Sequence, residues 1–239
     1  MNQCYVISIL LLLSLVGCST ASTSQRVTTE DLQLVGNHAG LIQHYKFELS
    51  KKPDSPAVML NLAQAYYDFG DVESASFYVE QLETLGAKQA GLYFLAGKIT
   101  ADLGQFEQAT LDYKEALSKG YQGADLFINL GIALTNSGQY KAAKEAFNQA
   151  RLKGHDDITV KNNLAVLYLA QGQYLQAVAL LTPINEQYPD EKKLAFNLAI
   201  SLFKVGDYRQ AHRLLSDDYS DEQILALFHS LRQSSEGGH

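Results

Sequence analysis

An all-helical solenoid of stacked helix pairs is the fold class this sequence predicts, and three observations predict it. Glycines Gly36, Gly70, Gly104, Gly138, Gly172 and Gly206 stand 34 residues apart, a fixed period that marks repeated helix–turn–helix units. Small residues recur in the same frame. With each of those glycines set at position 15 of a unit, position 8 holds Ala63, Gly97, Gly131, Ala165 and Ala199, and position 20 holds Ala75, Ala109, Ala143, Ala177 and Ala211. Between these columns the apolar residues follow helical spacing, as in Leu62, Ala63, Tyr66 and Phe69 or in Phe106, Ala109, Tyr113 and Ala116. That spacing puts them on one face of an amphipathic helix.

In chain order, the first element is the apolar run Tyr5 to Val16, shorter than the roughly 20 residues of a spanning helix. A short apolar run before small residues predicts a signal peptide over residues 1–17, although Met1-Asn2-Gln3 lacks the usual Lys or Arg. Leu15-Val16-Gly17-Cys18 resembles the bacterial lipobox. The resemblance implies cleavage before Cys18, a diacylglyceryl group on its thiol and acylation of its new amino group. Ser19 follows, and in enterobacterial-type sorting a residue other than Asp there favours the outer membrane, so the expected location is its periplasmic side. Cys4 leaves with the signal and lipid occupies Cys18, so no disulfide is expected. Residues 18–30 then read as the lipidated cysteine and a small, polar tether.

Repeats are expected over residues 31–220, one degenerate unit followed by five full ones. Gly36, Leu41, Tyr45 and Pro53 keep the register of the degenerate unit, whose first helix falls near Val27 to Val35. A glycine at position 15 ends each first helix, because the residue after a helix commonly takes positive φ. Pro53 and Pro189, at position 32, are expected to stop second helices, while Ala87, Tyr121 and His155 hold that column elsewhere. Small columns 8 and 20 let paired helices approach closely. Larger apolar columns should fill the space between units: Leu62, Ala96, Leu130, Leu164 and Leu198 at position 7, and Val79, Tyr113, Phe147, Leu181 and Leu215 at position 24. Residues 221–233, with Ile224, Leu225, Leu227, Phe228 and Leu231, predict one capping helix, which a terminal unit needs to cover its apolar face. Residues 234–239 read as a tail. Taken together, these columns resemble the tetratricopeptide repeat and imply its right-handed superhelix.

Function follows from which face is left over. A net charge of −7 with a pI near 5.3 gives no basic footprint for nucleic acid or an anionic membrane surface. In a tetratricopeptide array the first helices line the concave face. Position 6 holds Asn61, Leu95, Asn129, Asn163 and Asn197 there, and amides can pair with the main chain of a peptide whatever its sequence. Asn is also common in this column of the repeat. Positions 5, 9 and 12 flank it with many apolar residues, which suit either an apolar client or ordinary packing between units. The candidate groove is therefore Asn61, Tyr67, Asn129, Ile132, Asn163, Val166, Asn197, Ile200 and Phe203. Lys98 and Lys193 alone do not make a clamp for a carboxylate terminus. His38, His44, His155, His212 and His229 lack metal-ligand spacing, and Asp156-Asp157 is expected to cap a helix. No catalytic motif, metal or cofactor is expected, and the chain reads as a binding scaffold.

Ala124-Asp125-Leu126-Phe127-Ile128-Asn129-Leu130-Gly131 and Lys161-Asn162-Asn163-Leu164-Ala165, with Ala211-His212-Arg213-Leu214-Leu215 and Ser220-Asp221-Glu222-Gln223-Ile224 at the end, resemble the TadD family of tetratricopeptide lipoproteins. That resemblance covers most of the mature chain. It implies an outer-membrane assembly factor for a tight-adherence (Flp) pilus, whose partner is the pilus secretin or an associated assembly protein. The same layout of lipid and repeats also fits a pilotin for a type IVa pilus secretin, or an envelope adaptor that scaffolds peptidoglycan enzymes.

Overall fold

The computed structural model describes residues 28–236. Every element among them is helical, and the helices come in pairs. A short α1 (Thr29–Leu34) precedes α2 (His38–Lys51). Five pairs follow: α3 (Pro56–Phe69) with α4 (Val72–Thr84), α5 (Ala90–Asp102) with α6 (Phe106–Ser118), α7 (Ala124–Asn136) with α8 (Tyr140–Leu152), α9 (Asp157–Ala170) with α10 (Tyr174–Gln187), and α11 (Lys192–Lys204) with α12 (Tyr208–Leu215). The last helix among the described residues is α13 (Asp221–Glu236), which runs three residues past the end expected from sequence. The signal, Cys18 and most of the tether lie outside the described residues.

Each first helix ends as its glycine dictates. At Gly138, φ is +70°; its N–H donates to the Thr135 carbonyl at 3.1 Å and the next N–H, of Gln139, donates to Leu134 at 2.8 Å. This pairing satisfies carbonyls that the helix end would otherwise leave open. Second helices stop in two ways. Gly86, Gly120 and Gly154, all at position 31, repeat the glycine ending with positive φ. Where that column holds Lys52 or Tyr188, the residue leaves the helical region at φ −135° or −131°, because the Pro53 or Pro189 that follows bars it from helical geometry. The mixed column at position 32 thus records two alternative stops. Asp156 caps α9 by accepting the Thr159 N–H at 2.9 Å. Pro183 lies inside α10, a proline the period did not anticipate.

Packing within a unit follows a size rule. All five alanines at position 20 are fully buried. A methyl placed on Gly97 would stand 2.5 Å from the Tyr113 ring, and one on Gly131 would stand 2.4 Å from the Phe147 ring. Units with an aromatic residue at position 24 therefore carry glycine at position 8. Units with Ala63, Ala165 or Ala199 there carry the smaller Val79, Leu181 or Leu215 instead. This corrects the expectation that position 24 serves only the space between units: its side chains also lie against position 8 of their own unit, where glycine makes room for the ring.

Neighbouring first helices approach one another along the array, α3 to α5, α5 to α7, α7 to α9 and α9 to α11, while neighbouring second helices do not come as close among the described residues. The array consequently bends with the first helices inside. Its C-terminal end is closed by α13. The Phe228 ring stacks on Phe203 at 4.3 Å and 22°, Ile224 is buried, and Lys204 Nζ donates to the Leu231 carbonyl at 2.7 Å. Helix α12, only 8 residues long, leaves this surface for α13 to cover. Phe228→Ala should cost about 3–5 kcal/mol, the usual range for removing a buried aromatic ring. Because repeat stability is local, amide exchange should quicken in α11 to α13 and stay slow in α5 to α8.

Candidate protein-binding face

The inner face is built from the exposed sides of the first helices, and position 9 is its open column. Ile132 is 36% exposed and Val166 37%, and Ile200 is half-buried one unit further on. Positions 5 and 12 contribute less. Phe94, Ile128 and Thr135 are buried, and Leu60, Leu169 and Phe196 are half-buried. Phe203 does not reach the groove: it is 8% exposed and lies under Phe228. Its repeat position pointed to the groove, but α13 takes up that space.

The asparagine column is partly engaged by the protein itself. Asn129 Nδ2 donates to the Asp125 carbonyl and Asn163 Nδ2 to the Thr159 carbonyl, both at 2.9 Å and one turn back in their own helices. Asn197 Nδ2 instead crosses to Asn162 Oδ1 in the preceding unit at 2.9 Å, tying α9 to α11. Each amide retains a second N–H, and Asn129 and Asn163 keep their oxygens for other partners. Asn61 is exposed at the N-terminal end of the column.

Toward that end the face becomes aromatic and acidic. The Tyr67 hydroxyl donates to Asp102 Oδ2 at 2.6 Å, and Lys98 Nζ sits 4.2 Å from the Tyr67 ring centroid, within cation–π range. Burial, reinforced by Asp102, pushes the Tyr67 hydroxyl well above the ordinary tyrosine range, so it stays a donor. Phe94 and Tyr121 pack with centroids 4.3 Å apart. Burial, with Asp125 beside it, pushes the Tyr121 hydroxyl up to about 12. Position 13 changes along the array, from Asp68 and Asp102 through Asn136 and Ala170 to Lys204. Sequence reading did not single out Asp68 or Asp102, although this trend along one column carried the signal.

A cleft of about 570 Å³ lies away from this face, beside the turn of the fourth full unit, between Gly172–Gln176 and Val205. Its lining has no charged side chain and little to orient a ligand. Among the described residues no group of three or more His, Cys, Asp or Glu side chains could hold a metal ion. No helix among the described residues is long and apolar enough to cross a membrane.

Comparison with known proteins agrees with this architecture. Tetratricopeptide-repeat models match residues 94–157 and 168–224, together just over half of the chain. No curated protein matches by sequence. Among solved structures, a tetratricopeptide repeat protein from Parabacteroides merdae aligns at 15% identity over 87% of this chain and 84% of its own, with a TM-score of 0.69. YrrB, a tetratricopeptide protein with an unusual peptide-binding site, aligns at 18% identity over 75% of this chain and 94% of its own, with a TM-score of 0.57. PilF of Pseudomonas aeruginosa aligns at 19% over 76% of this chain and 84% of its own, with a TM-score of 0.56. At such identities the likeness is one of fold. With its period, its paired helices and both model matches, the chain belongs to the tetratricopeptide-repeat proteins.

Proposed function

We propose that this protein is a lipid-anchored scaffold that captures a segment of a client protein on the inner face of its repeats. It acts at the periplasmic side of the outer membrane during assembly of a tight-adherence pilus. The observation that carries the binding role is the exposed apolar column at Ile132 and Val166, bordered by the amides of Asn129 and Asn163. Isolated apolar residues on a surface are ordinary, but a row of them along one concave face suits an apolar or amphipathic segment. YrrB, which shares the fold, has a peptide-binding site. The lipobox-like Leu15-Val16-Gly17-Cys18 supports the anchor, and the resemblance of the C-terminal half to TadD lipoproteins supports the pilus. Tethering raises the effective concentration of a client at the membrane, so the contact itself can be weak.

The mechanism is non-covalent throughout. Repeat proteins present a preformed surface, and a client that adds its apolar side chains to column 9 finds the amides already oriented by their helices. The test is crosslinked affinity recovery from native envelopes with mass spectrometry. A pilus secretin or another pilus assembly protein is the expected catch. Recovery of peptidoglycan enzymes without any pilus component would contradict the pilus assignment and favour an envelope adaptor.

A further inference from the structure

At its N-terminal end the inner face runs into a cleft of about 220 Å³, smaller than the ~300–1,000 Å³ typical of small-molecule sites and of a size for one side chain. Its walls are Gln33 of α1, His38 and Tyr45 of α2, and Asn61, Gln64 and Asp68 of α3, over a floor of Leu41 and Ala65. Asn61, Gln64 and Asp68 occupy positions 6, 9 and 13 of the first full unit, the columns that carry Asn129, Ile132 and Asn136 two units later. The cleft therefore continues the groove.

The chemistry of the walls is lopsided. None of these residues is Lys or Arg. Gln64 Nε2 donates to Asp68 Oδ1 at 2.8 Å, which leaves Oδ2 of the same carboxylate to accept. His38 contributes its ring to the wall, with Nδ1 itself buried and without a hydrogen-bond partner. Asn61 and Gln33 add side-chain amides whose oxygens can accept, and Tyr45 adds an aromatic ring. A second carboxylate, Glu30 on α1, is near enough to act on the Tyr45 hydroxyl, which burial first and that charge second push upward. A wall that carries side-chain amides from α1 and α3 and one full negative charge suits a planar group with several donors. A guanidinium has five N–H donors in a plane, stacks on aromatic rings and pairs with carboxylate.

We propose that this cleft receives an arginine side chain of the client, with the rest of the segment running along column 9 toward Val166. The proposal rests on the inner face being the binding face. It adds a direction and a sequence preference: a basic residue at the N-terminal end of the array, then apolar residues spaced to meet Ile132 and Val166. A carboxylate entering the cleft would instead face Asp68, while Lys98, at column 9 of the next unit, lies outside the cleft.

The test uses the full chain in mild detergent and a small probe, so that it does not depend on finding the client. N-acetyl-arginine methylamide is titrated while the side-chain NMR signals of Gln33, His38, Asn61 and Gln64 are followed. N-acetyl-citrulline methylamide, the same shape without the charge, and N-acetyl-lysine methylamide serve as competitors. The expected result is saturable shifts of those four residues with the arginine probe, at least tenfold weaker with lysine and absent with citrulline. Asp68→Asn, at an exposed position that should not disturb the fold, is expected to weaken the arginine probe at least tenfold. Equal shifts with citrulline, equal affinity for lysine, or unchanged binding to Asp68→Asn would each overturn the proposal. An inner face that captures clients while this cleft ignores arginine would leave the binding reading intact and remove only this site.

Discussion

Gly131→Ala is expected to lower the free energy of unfolding by about 1–3 kcal/mol, the range for forcing an extra group into a packed core. The new methyl would stand 2.4 Å from Phe147 Cε1 and 2.6 Å from Cδ1. Phe147 is 1% exposed and belongs to the core shared by α5 to α9, so the ring has no open space to swing into. Adding Phe147→Leu to the same chain recreates the Ala165–Leu181 pair of the fourth full unit. The double variant is expected to recover at least half of what Gly131→Ala loses, although Phe147→Leu alone destabilises. A urea-unfolding double-mutant cycle measures this coupling directly. Strict additivity of the two substitutions would refute the size rule linking positions 8 and 24.

Cys18→Ala, made in a chain whose residues 1–17 are exchanged for an ordinary cleaved secretory signal, is expected to move the protein wholly from the membrane fraction to the soluble periplasmic fraction. Each buried methylene contributes about 0.8 kcal/mol, and one acyl chain gives only reversible binding. Several chains on one cysteine hold a protein durably, and removing their attachment point removes all of them together. No helix among the described residues is long and apolar enough to span a bilayer. Fractionation, with the mass of the mature N-terminus, is the check. Continued sedimentation of the alanine variant with membranes would sink the lipid anchor.

The period made the fold legible because the features that define it are short-range. A turn needing positive φ admits glycine at six regular places, and helices in close contact admit only small residues at columns 8 and 20. These constraints act through the backbone and leave a regular trace. What depended on non-adjacent partners was hidden. The Gly97–Tyr113 and Gly131–Phe147 pairs were visible as two separate columns, but their coupling needed the geometry. Phe203 read as a groove residue because its column faces the groove elsewhere; only α13, which breaks the repeat, buries it. The asparagine column was visible from its repeat position, yet its hydrogen bonds to Asp125, Thr159 and Asn162 could not be inferred from spacing. The cleft was missed as a unit: Asn61 and Gln64 stand in columns 6 and 9, but its remaining walls come from α1, α2 and Asp68, which those columns do not include.

The binding face itself is tested most directly by site-specific photocrosslinking in living cells. A photoreactive residue is placed in turn at Ile132 and Val166 on the inner face, and at Leu111 and Glu145 on the second helices. All four positions are exposed, so differences in capture report the face rather than access. The account predicts discrete client adducts from Ile132 and Val166 and none from Leu111 or Glu145. Adducts confined to Leu111 and Glu145 would contradict it and move the binding surface to the outer side of the array.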